Sequence, residues 1–185
     1  MTGAGPIFFY VQHLLGIGHQ MRAAAICRAL RAAGMEVHFI AGGFDDLALD
    51  LGGATLHQLP PVRSSDSAFS GLTGADGRPV DEDWWQARTA ALLACYEKIK
   101  PALLLIEGFP FARRKFAREL LPLLEQARAD GRLVAGSLRD ILVPPSKPEK
   151  TRKARAIAER LFDLFLVHGD PDFLPLTASL PEADT

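Results

Sequence analysis

This chain has few cysteines, no excess of charge of one sign and no long apolar run, and each absence excludes a class of protein. The 185 residues include two cysteines, Cys27 and Cys95, which fall on apolar positions of predicted helices. We therefore expect buried free thiols and no disulfide. No apolar run approaches the roughly 18 residues that cross a bilayer, and the amino terminus lacks the basic region of a signal peptide. The cytosol is the expected compartment.

The charge balance argues against a nucleic-acid partner. Lysines and arginines number 21 against 22 aspartates and glutamates, a net charge of −1, which provides no general attraction to a polyanion. Basic tracts at 113–115 and 150–155 fall on predicted helix surfaces beside acidic residues, so we interpret them as solvated faces. The first tract lies near Phe109 and Phe111, and a contact with a membrane surface stays open there as an alternative.

Metal and cofactor motifs are also missing. His13 and His19 are six residues apart across a glycine turn, which matches no zinc pattern, and no cysteine or carboxylate stands near them. A dinucleotide fingerprint needs a third glycine where this chain has Met21, and an acidic residue where the second strand is followed by Gly42 and Gly43. We therefore predict no metal and no bound cofactor.

Helix and strand patterns alternate along the chain, which is typical of βαβ units with a parallel sheet. The composition, 48 % hydrophobic and 23 % charged, and the length fit one domain, taken as residues 1–185. We predict an α/β fold, a Rossmann-like parallel sheet with helices on both faces. Strands are predicted at 7–12, 36–40, 55–59, 102–106, 133–137 and 164–167.

The segments between the strands are predicted to be mostly helical. A short helix is predicted at 45–51, and Pro122 should kink or divide the helix that follows the fourth strand. Capping-box spacing from Ser146 to Glu149 predicts the start of the last helix. Residues 60–83 lack a periodic pattern and form a long loop, for which a functional role and a disordered insertion are both open.

Polar residues and glycines follow several of the predicted strands at their carboxyl ends. Because parallel strands place these ends on one edge of the sheet, we expect the residues to line a common crevice and bind substrate. They are His13, Gly16, Gly18 and His19 after the first strand, Glu107 and Gly108 after the fourth, Ser137 and Arg139 after the fifth, and His168 and Asp170 after the sixth. Capping of the next helix is an alternative role for Glu107.

His19 is the candidate catalytic residue of this set. It stands at the start of an amphipathic helix, where unpaired N–H groups and the helix macrodipole favour an anion or a developing negative charge. The same positive end favours the neutral imidazole, which can accept a proton. Gly16 and Gly18 allow unusual backbone dihedrals and a close approach of a ligand. The plainer alternative is that the glycines only make a tight turn and that His19 only caps the helix.

Taken together, these residues resemble the N-terminal half of a GT-B glycosyltransferase, close to a group of predicted bacterial glycosyltransferases that is similar to the peptidoglycan N-acetylglucosaminyltransferase. The resemblance runs over nearly the whole chain and is carried by residues 10–19, 32–34, 36–43, 107–110, 137–140 and 167–171. It implies two facing Rossmann-like domains. The N-terminal one binds the acceptor, a small molecule or a glycan, and the C-terminal one binds the nucleotide-sugar donor.

The resemblance also implies that His19 contacts the acceptor and acts as general base toward its hydroxyl. It implies that the donor-binding domain is absent from these 185 residues, which should not transfer sugar unaided. A non-catalytic module that holds an anionic or sugar-like ligand, as half of a partner complex, is an alternative from another functional class. A sugar-nucleotide epimerase is a third, against which the Gly-His and Glu-Gly-Phe-Pro turns argue.

Overall fold

The computed structural model describes residues 5–14, 18–44, 48–64, 71–139 and 148–170. In chain order, the strands are β1 (Ile7–Val11), β2 (Val37–Ala41), β3 (Thr55–Gln58), β4 (Arg63–Ser64), β5 (Leu72–Thr73), β6 (Leu103–Glu107), β7 (Leu133–Arg139) and β8 (Leu164–His168). The helices are α1 (Gly18–Ala32), α2 (Glu82–Ile99), α3 (Ala117–Ala129) and α4 (Pro148–Leu161), and a 3-10 turn, Arg114–Phe116, precedes α3.

Six of these strands form one parallel sheet in the order β3-β2-β1-β6-β7-β8, and β4 and β5 form a separate antiparallel pair. The predicted α/β fold, a Rossmann-like parallel sheet, is therefore confirmed. Each of the six predicted strands is present, with its bounds shifted by at most two residues. Bounds move by that much because strand ends fray and depend on the neighbouring strand for their hydrogen bonds.

Alternate residues along each strand pack into separate cores on the two faces of the sheet. On one face, Phe9 and Leu105 pack with Ala23 and Cys27 of α1. On the other, buried strand residues pack with α2, α3 and α4, whose contributions include Leu92, Leu120 and Leu161. Helices therefore cover both faces, as predicted, because a parallel sheet must bury both of its apolar surfaces.

The best-defined helix boundaries belong to α2. The carboxylate of Asp81 accepts a hydrogen bond of 2.8 Å from the backbone N–H of Trp84, and the helix ends at Lys100, whose φ of 51° lies in the left-handed region. Pro101 follows and cannot continue the helix. None of the helices in the described ranges combines the length and the apolar character that a membrane crossing requires.

The prediction of a short helix at 45–51 is wrong for the residues that the structure describes. Residues 48–51 are not helical, and 45–47 lie outside the described residues. The carboxylate of Asp50 accepts a hydrogen bond of 2.9 Å from the backbone N–H of Gly52, and Gly52 and Gly53 both have positive φ. A side-chain turn of this kind competes with helix formation and leads the chain into β3.

Pro122 is predicted to kink or divide its helix, and the division is wrong, since α3 is continuous from Ala117 to Ala129. Proline removes the hydrogen bond to the carbonyl four residues earlier, which belongs to the exposed Arg118. The loss concerns a single hydrogen bond in the first turns of α3, and the helix continues past it. The predicted start of α4 at Ser146 lies outside the described residues, and of the two thiols Cys27 is buried while Cys95 is only partly buried.

The segment predicted as one long loop, 60–83, contains regular structure. Its described part includes the short β4–β5 pair, and α2 already begins at Glu82. The backbone N–H of Ser64 donates to the carbonyl of Leu14, so this segment packs beside the turn that follows β1.

The sheet order creates a crevice between β1 and β6. β1 lies between β2 and β6. From β1 the strand order runs outward to β2 and β3 on one side, and from β6 it runs outward to β7 and β8 on the other. At such a switch point the connections that follow the two central strands separate at their carboxyl ends, and ligands of open α/β sheets bind there. His19 follows β1 and Glu107 ends β6, so both candidates stand at this point.

Candidate functional site

The crevice brings His19 and Glu107 together. His19 is the second residue of α1 and Glu107 the last residue of β6. The imidazole Nδ1 lies 2.9 Å from Glu107 Oε1. Arg22 donates a hydrogen bond from Nη2 to the same oxygen. Because positions three apart lie on one side of a helix, a single face of α1 delivers both groups to the carboxylate.

Glu107 is a buried carboxylate whose charge is compensated. Its side chain is 0 % exposed, while His19 and Arg22 are 25 % and 24 % exposed. Burial raises the pKa of Glu107, but the hydrogen bond from His19 and the charges of His19 and Arg22 outweigh it, so the pKa lies below its ordinary value. An ionised carboxylate can only accept, so Nδ1 of His19 is the donor of this hydrogen bond, and a ring that carries a single proton then has its lone pair on Nε2. The alternative that Glu107 caps a helix is wrong.

Two atoms of this ion pair remain without a hydrogen-bond partner. Glu107 Oε2 and Arg22 Nε are both buried, and neither meets a donor or acceptor in the described part of the chain. Leaving a buried polar group unpaired costs about 1–3 kcal/mol. The pair is therefore incompletely satisfied by the side chains that form it.

A second imidazole lies in the same cluster. Ser137 is aligned with Glu107 in the sheet, and its buried Oγ lies 2.9 Å from Nε2 of His168. Burial and the charge of Arg22 lower the pKa of His168, and Glu107 offsets part of this effect. Of the residues predicted from sequence, the structure thus brings together His19, Glu107, Ser137 and His168, and the charge of Arg22 acts on both Glu107 and His168.

The two described glycines of the prediction differ in their roles. Gly108 has a φ of +80° and donates its N–H to the carbonyl of Ser137 at 2.9 Å, so glycine is needed where β6 ends. Gly18 begins α1 with no positive φ, so the predicted unusual dihedral is wrong there. A Cβ at Gly18 would meet no atom of the described residues within 4 Å. Gly16 lies outside the described residues.

His13 lies on the β2 side of the crevice. Its ring packs directly on Gly43, where a Cβ would come within 2.2 Å of the ring carbon Cε1. A Cβ at Gly42 would come within 2.1 Å of Gln12 Oε1. The two glycines that follow β2 therefore make room for the side chains that follow β1, which explains why no acidic residue stands there.

Arg139 and Asp170 share this edge of the sheet but lie outside the buried cluster. Arg139 is the exposed last residue of β7, and Asp170 is exposed just beyond β8. The substrate-binding role assigned to them from sequence stays a prediction.

Sequence reasoning missed Arg22 and misassigned Arg113. Arg113 belongs to a tract predicted to be solvated, yet it is partly buried, and its Nε donates a hydrogen bond of 2.8 Å to the carbonyl of Gln12. Burial lowers the pKa of Arg113, against the raising effect of Glu107. Helical spacing from His19 could have identified Arg22, whereas nothing in the sequence distinguishes Arg113 from the exposed Arg114.

A second buried ion pair lies at the same edge on the opposite face of the sheet. Arg88 of α2 donates from Nε to Glu119 Oε2 of α3 at 2.7 Å, and both side chains are 0 % exposed. Tyr10 donates its hydroxyl to Glu119, and burial together with the charge of Glu119 raises the pKa of that phenol well above its ordinary value. The sequence pattern treats α2 as carrying an apolar stripe and gives no sign of this pair.

The described site carries the groups of proton-transfer chemistry. It offers an imidazole oriented by a carboxylate, a second imidazole whose pKa is lowered, an arginine and the amino-terminal end of a helix. Within the described ranges, no three histidine, cysteine, aspartate or glutamate side chains are placed to hold a metal ion.

Solved structures with a similar fold include glycosyltransferases. SsfS6 of Streptomyces sp. SF2575 superposes with a TM-score of 0.54 at 19 % identity, over 93 % of this chain and 52 % of that one. MurG of Acinetobacter baumannii gives 0.54 at 14 % identity, over 88 % and 41 %. UGT2 of Phytolacca americana gives 0.53 at 12 % identity, over 97 % and 49 %.

The fold is half of a GT-B fold. The chain spans about half the length of these solved structures. Identities this low bear on the fold alone. No protein-family model matches the sequence, and no curated protein matches it either.

Proposed function

We propose that this chain is the acceptor-binding half of a glycosyltransferase that uses a nucleotide sugar, with His19 as the general base. The observation that carries the proposal is the hydrogen bond between His19 Nδ1 and the buried Glu107, at the switch point of a sheet that matches half of a GT-B fold. The donor would be held by a second half, which faces the same crevice.

In this mechanism Glu107 fixes the tautomer of His19. The Nδ1–H donates to the carboxylate, so Nε2 carries the lone pair and accepts the proton of an acceptor hydroxyl. The acceptor oxygen forms a bond to the anomeric carbon of the sugar as the bond from that carbon to the diphosphate breaks. The nucleoside diphosphate leaves with the electron pair, and the negative charge of Glu107 stabilises the imidazolium that forms.

The surroundings of His19 suit an acceptor. No atom of the described residues lies within 4 Å of a Cβ at Gly18, and this space at the start of α1 suits the approach of a ligand. His168, held by Ser137, supplies a further hydrogen-bonding group at the crevice. The complex of Phytolacca americana UGT2 with UDP-2fluoro-glucose and pterostilbene, whose chain superposes with a TM-score of 0.54, supports a donor and an acceptor as the ligand classes.

The experiment expresses the chain together with the coding sequence that follows position 185 and measures release of nucleoside diphosphate from a set of nucleotide sugars. His19→Ala should lower kcat by about 10²–10⁴-fold, the usual contribution of a general base. Glu107→Gln should lower kcat less, because the imidazole keeps its proton-accepting atom.

His57→Ala is the matched control. His57 is a partly buried imidazole on β3 that pairs with His38 at 2.9 Å, away from the crevice, so its loss should leave the rate unchanged. The proposal fails if no nucleotide sugar is cleaved by the extended protein, or if His19→Ala and His57→Ala behave alike.

A further inference from the structure

We propose that Arg88 is a positioning residue. Through its hydrogen bonds it holds together the turns that follow β1, β2 and β3, and these turns form one side of the crevice. The evidence is its set of acceptors. Nη1 donates to the carbonyls of Gly42 at 2.8 Å and Pro60 at 2.5 Å, and Nη2 donates to Gln12 Oε1 at 2.6 Å. One guanidinium therefore joins three strand ends that are far apart in sequence.

Glu119 fixes the guanidinium from the other side. Its two carboxylate oxygens accept from Arg88 Nε and Nη2 at 2.7 and 3.0 Å, and the hydroxyl of Tyr10 donates to one of them. All of these side chains are fully buried. Arginine suits this task because its five N–H donors have a fixed planar geometry, which a lysine ammonium cannot reproduce.

Stability alone does not explain a buried ion pair at this position. Apolar residues of similar volume usually stabilise a core as well as a buried ion pair does. What apolar residues cannot do is bond to the carbonyls of Gly42 and Pro60 and to the amide of Gln12. The fit is tight, since a Cβ at Gly42 would come within 2.6 Å of an Arg88 nitrogen.

Two contacts carry this geometry to the crevice. The carbonyl of Gln12 accepts from Nε of Arg113, whose charge interacts with Glu107. The next residue, His13, packs its ring on Gly43, next to the glycine whose carbonyl binds Arg88. A loosened Arg88 would therefore let the turn after β1 move relative to the turn after β2.

The first test is Arg88→Lys in the 185-residue chain, followed by NMR. The wild type should give a nuclear Overhauser effect between the His13 ring proton on Cε1 and the α-protons of Gly43. The lysine keeps a charge for Glu119 but cannot reach three acceptors at once, so this effect should be lost. If the lysine variant does not fold, Glu119→Gln replaces it and should weaken the same signal.

Leu92→Ala is the matched control. Leu92 is fully buried on α2, one turn beyond Arg88, and contacts none of the three turns through hydrogen bonds. It should keep the signal between His13 and Gly43. A retained signal in Arg88→Lys, or an equal loss in Leu92→Ala, overturns the positioning role.

The second test rests on the proposed function and uses the extended protein. Arg88→Lys should raise the KM for the acceptor about tenfold, because small misplacements of binding groups are costly. The pH dependence of kcat should not change, since His19 is held by Glu107 on the other face. An unchanged KM overturns this role for Arg88, whereas an extended protein without any transfer activity contradicts the proposed function and leaves the NMR result to decide on Arg88.

Discussion

Two arginine–glutamate pairs flank the carboxyl edge of the same sheet, one on each face, and they differ in how completely they are satisfied. Arg88 and Glu119 are fully buried, and the guanidinium donates to two backbone carbonyls, those of Gly42 and Pro60, and to the side chains of Gln12, Glu119 and Tyr10. In the other pair, Arg22 and His19 both bond to the same carboxylate oxygen of Glu107. Arg22 and Glu107 each retain one buried atom without a partner among the described residues.

The difference separates a pair that fixes the structure from a pair that is available for chemistry. A fully satisfied buried network rigidifies its surroundings because every member would be costly to expose. An incompletely satisfied pair still has hydrogen-bonding capacity, and a ligand or a proton can use it. We therefore interpret the Arg88 pair as the support and the Glu107 cluster as the reactive part of one edge.

The largest expected effect is on the free energy of unfolding when each pair loses its arginine. Arg88→Ala should cost about 3–5 kcal/mol, because it leaves Glu119 as an uncompensated buried charge. Arg22→Ala should cost about 1.5–3 kcal/mol, since His19 still donates to Glu107. Urea unfolding measures both.

Arg128→Ala is the control for these two variants. Its partner is Asp163 in a pair that is 41 % and 28 % exposed, so the loss should stay below about 1 kcal/mol. Equal costs for Arg22→Ala and Arg88→Ala would remove the distinction between an open and a closed pair.

A smaller effect is expected on the pH dependence of stability, and it belongs to the open cluster. The folded state lowers the pKa of both His168 and Glu107, so in each case the unfolded chain binds more protons as the solution becomes acidic. The stability that His168 contributes is fully present above pH 6.5, its ordinary pKa, and is lost as the pH falls from there through the lower pKa of the folded state. The stability that Glu107 contributes is fully present above pH 4.5 and is lost in the same way as the pH falls further.

Urea midpoints measured between pH 8 and pH 4 test this order, with the wild type compared to His168→Gln. The variant should lose less stability than the wild type on the first part of the acid side, just below the ordinary pKa of histidine. Parallel curves for the two proteins would show that His168 is not held neutral in the folded state.

The smallest effect on stability is expected at Gly18. Replacement of a helical glycine by alanine at a position with free space stabilises by about 0.4–1 kcal/mol. A Cβ there comes within 4 Å of no atom of the described residues, and it stands where the proposed acceptor approaches. Gly18→Ala should therefore raise the melting temperature slightly and weaken acceptor binding. A variant that gains stability and binds the acceptor normally would place the ligand elsewhere.

Most of the fold could be predicted from the sequence because its signals are local. Apolar runs of five or so residues between amphipathic segments predict parallel strands, and all six strands of the sheet were found. The errors came from single residues whose effect depends on neighbours. The turn at Asp50 replaced part of a predicted helix, and Pro122 lies inside α3 without dividing it.

For the site, the sequence alone determined which polar residues stand at strand ends, and parallel pairing then places His19, Glu107, Ser137 and His168 on one edge. Only the tertiary structure decided which charges are buried and how they are paired. Arg88 and Glu119 are 31 residues apart, and each looks like an ordinary helix-surface residue until the partner is known. The physical reason is that a charge can be buried only when another part of the chain supplies its hydrogen bonds.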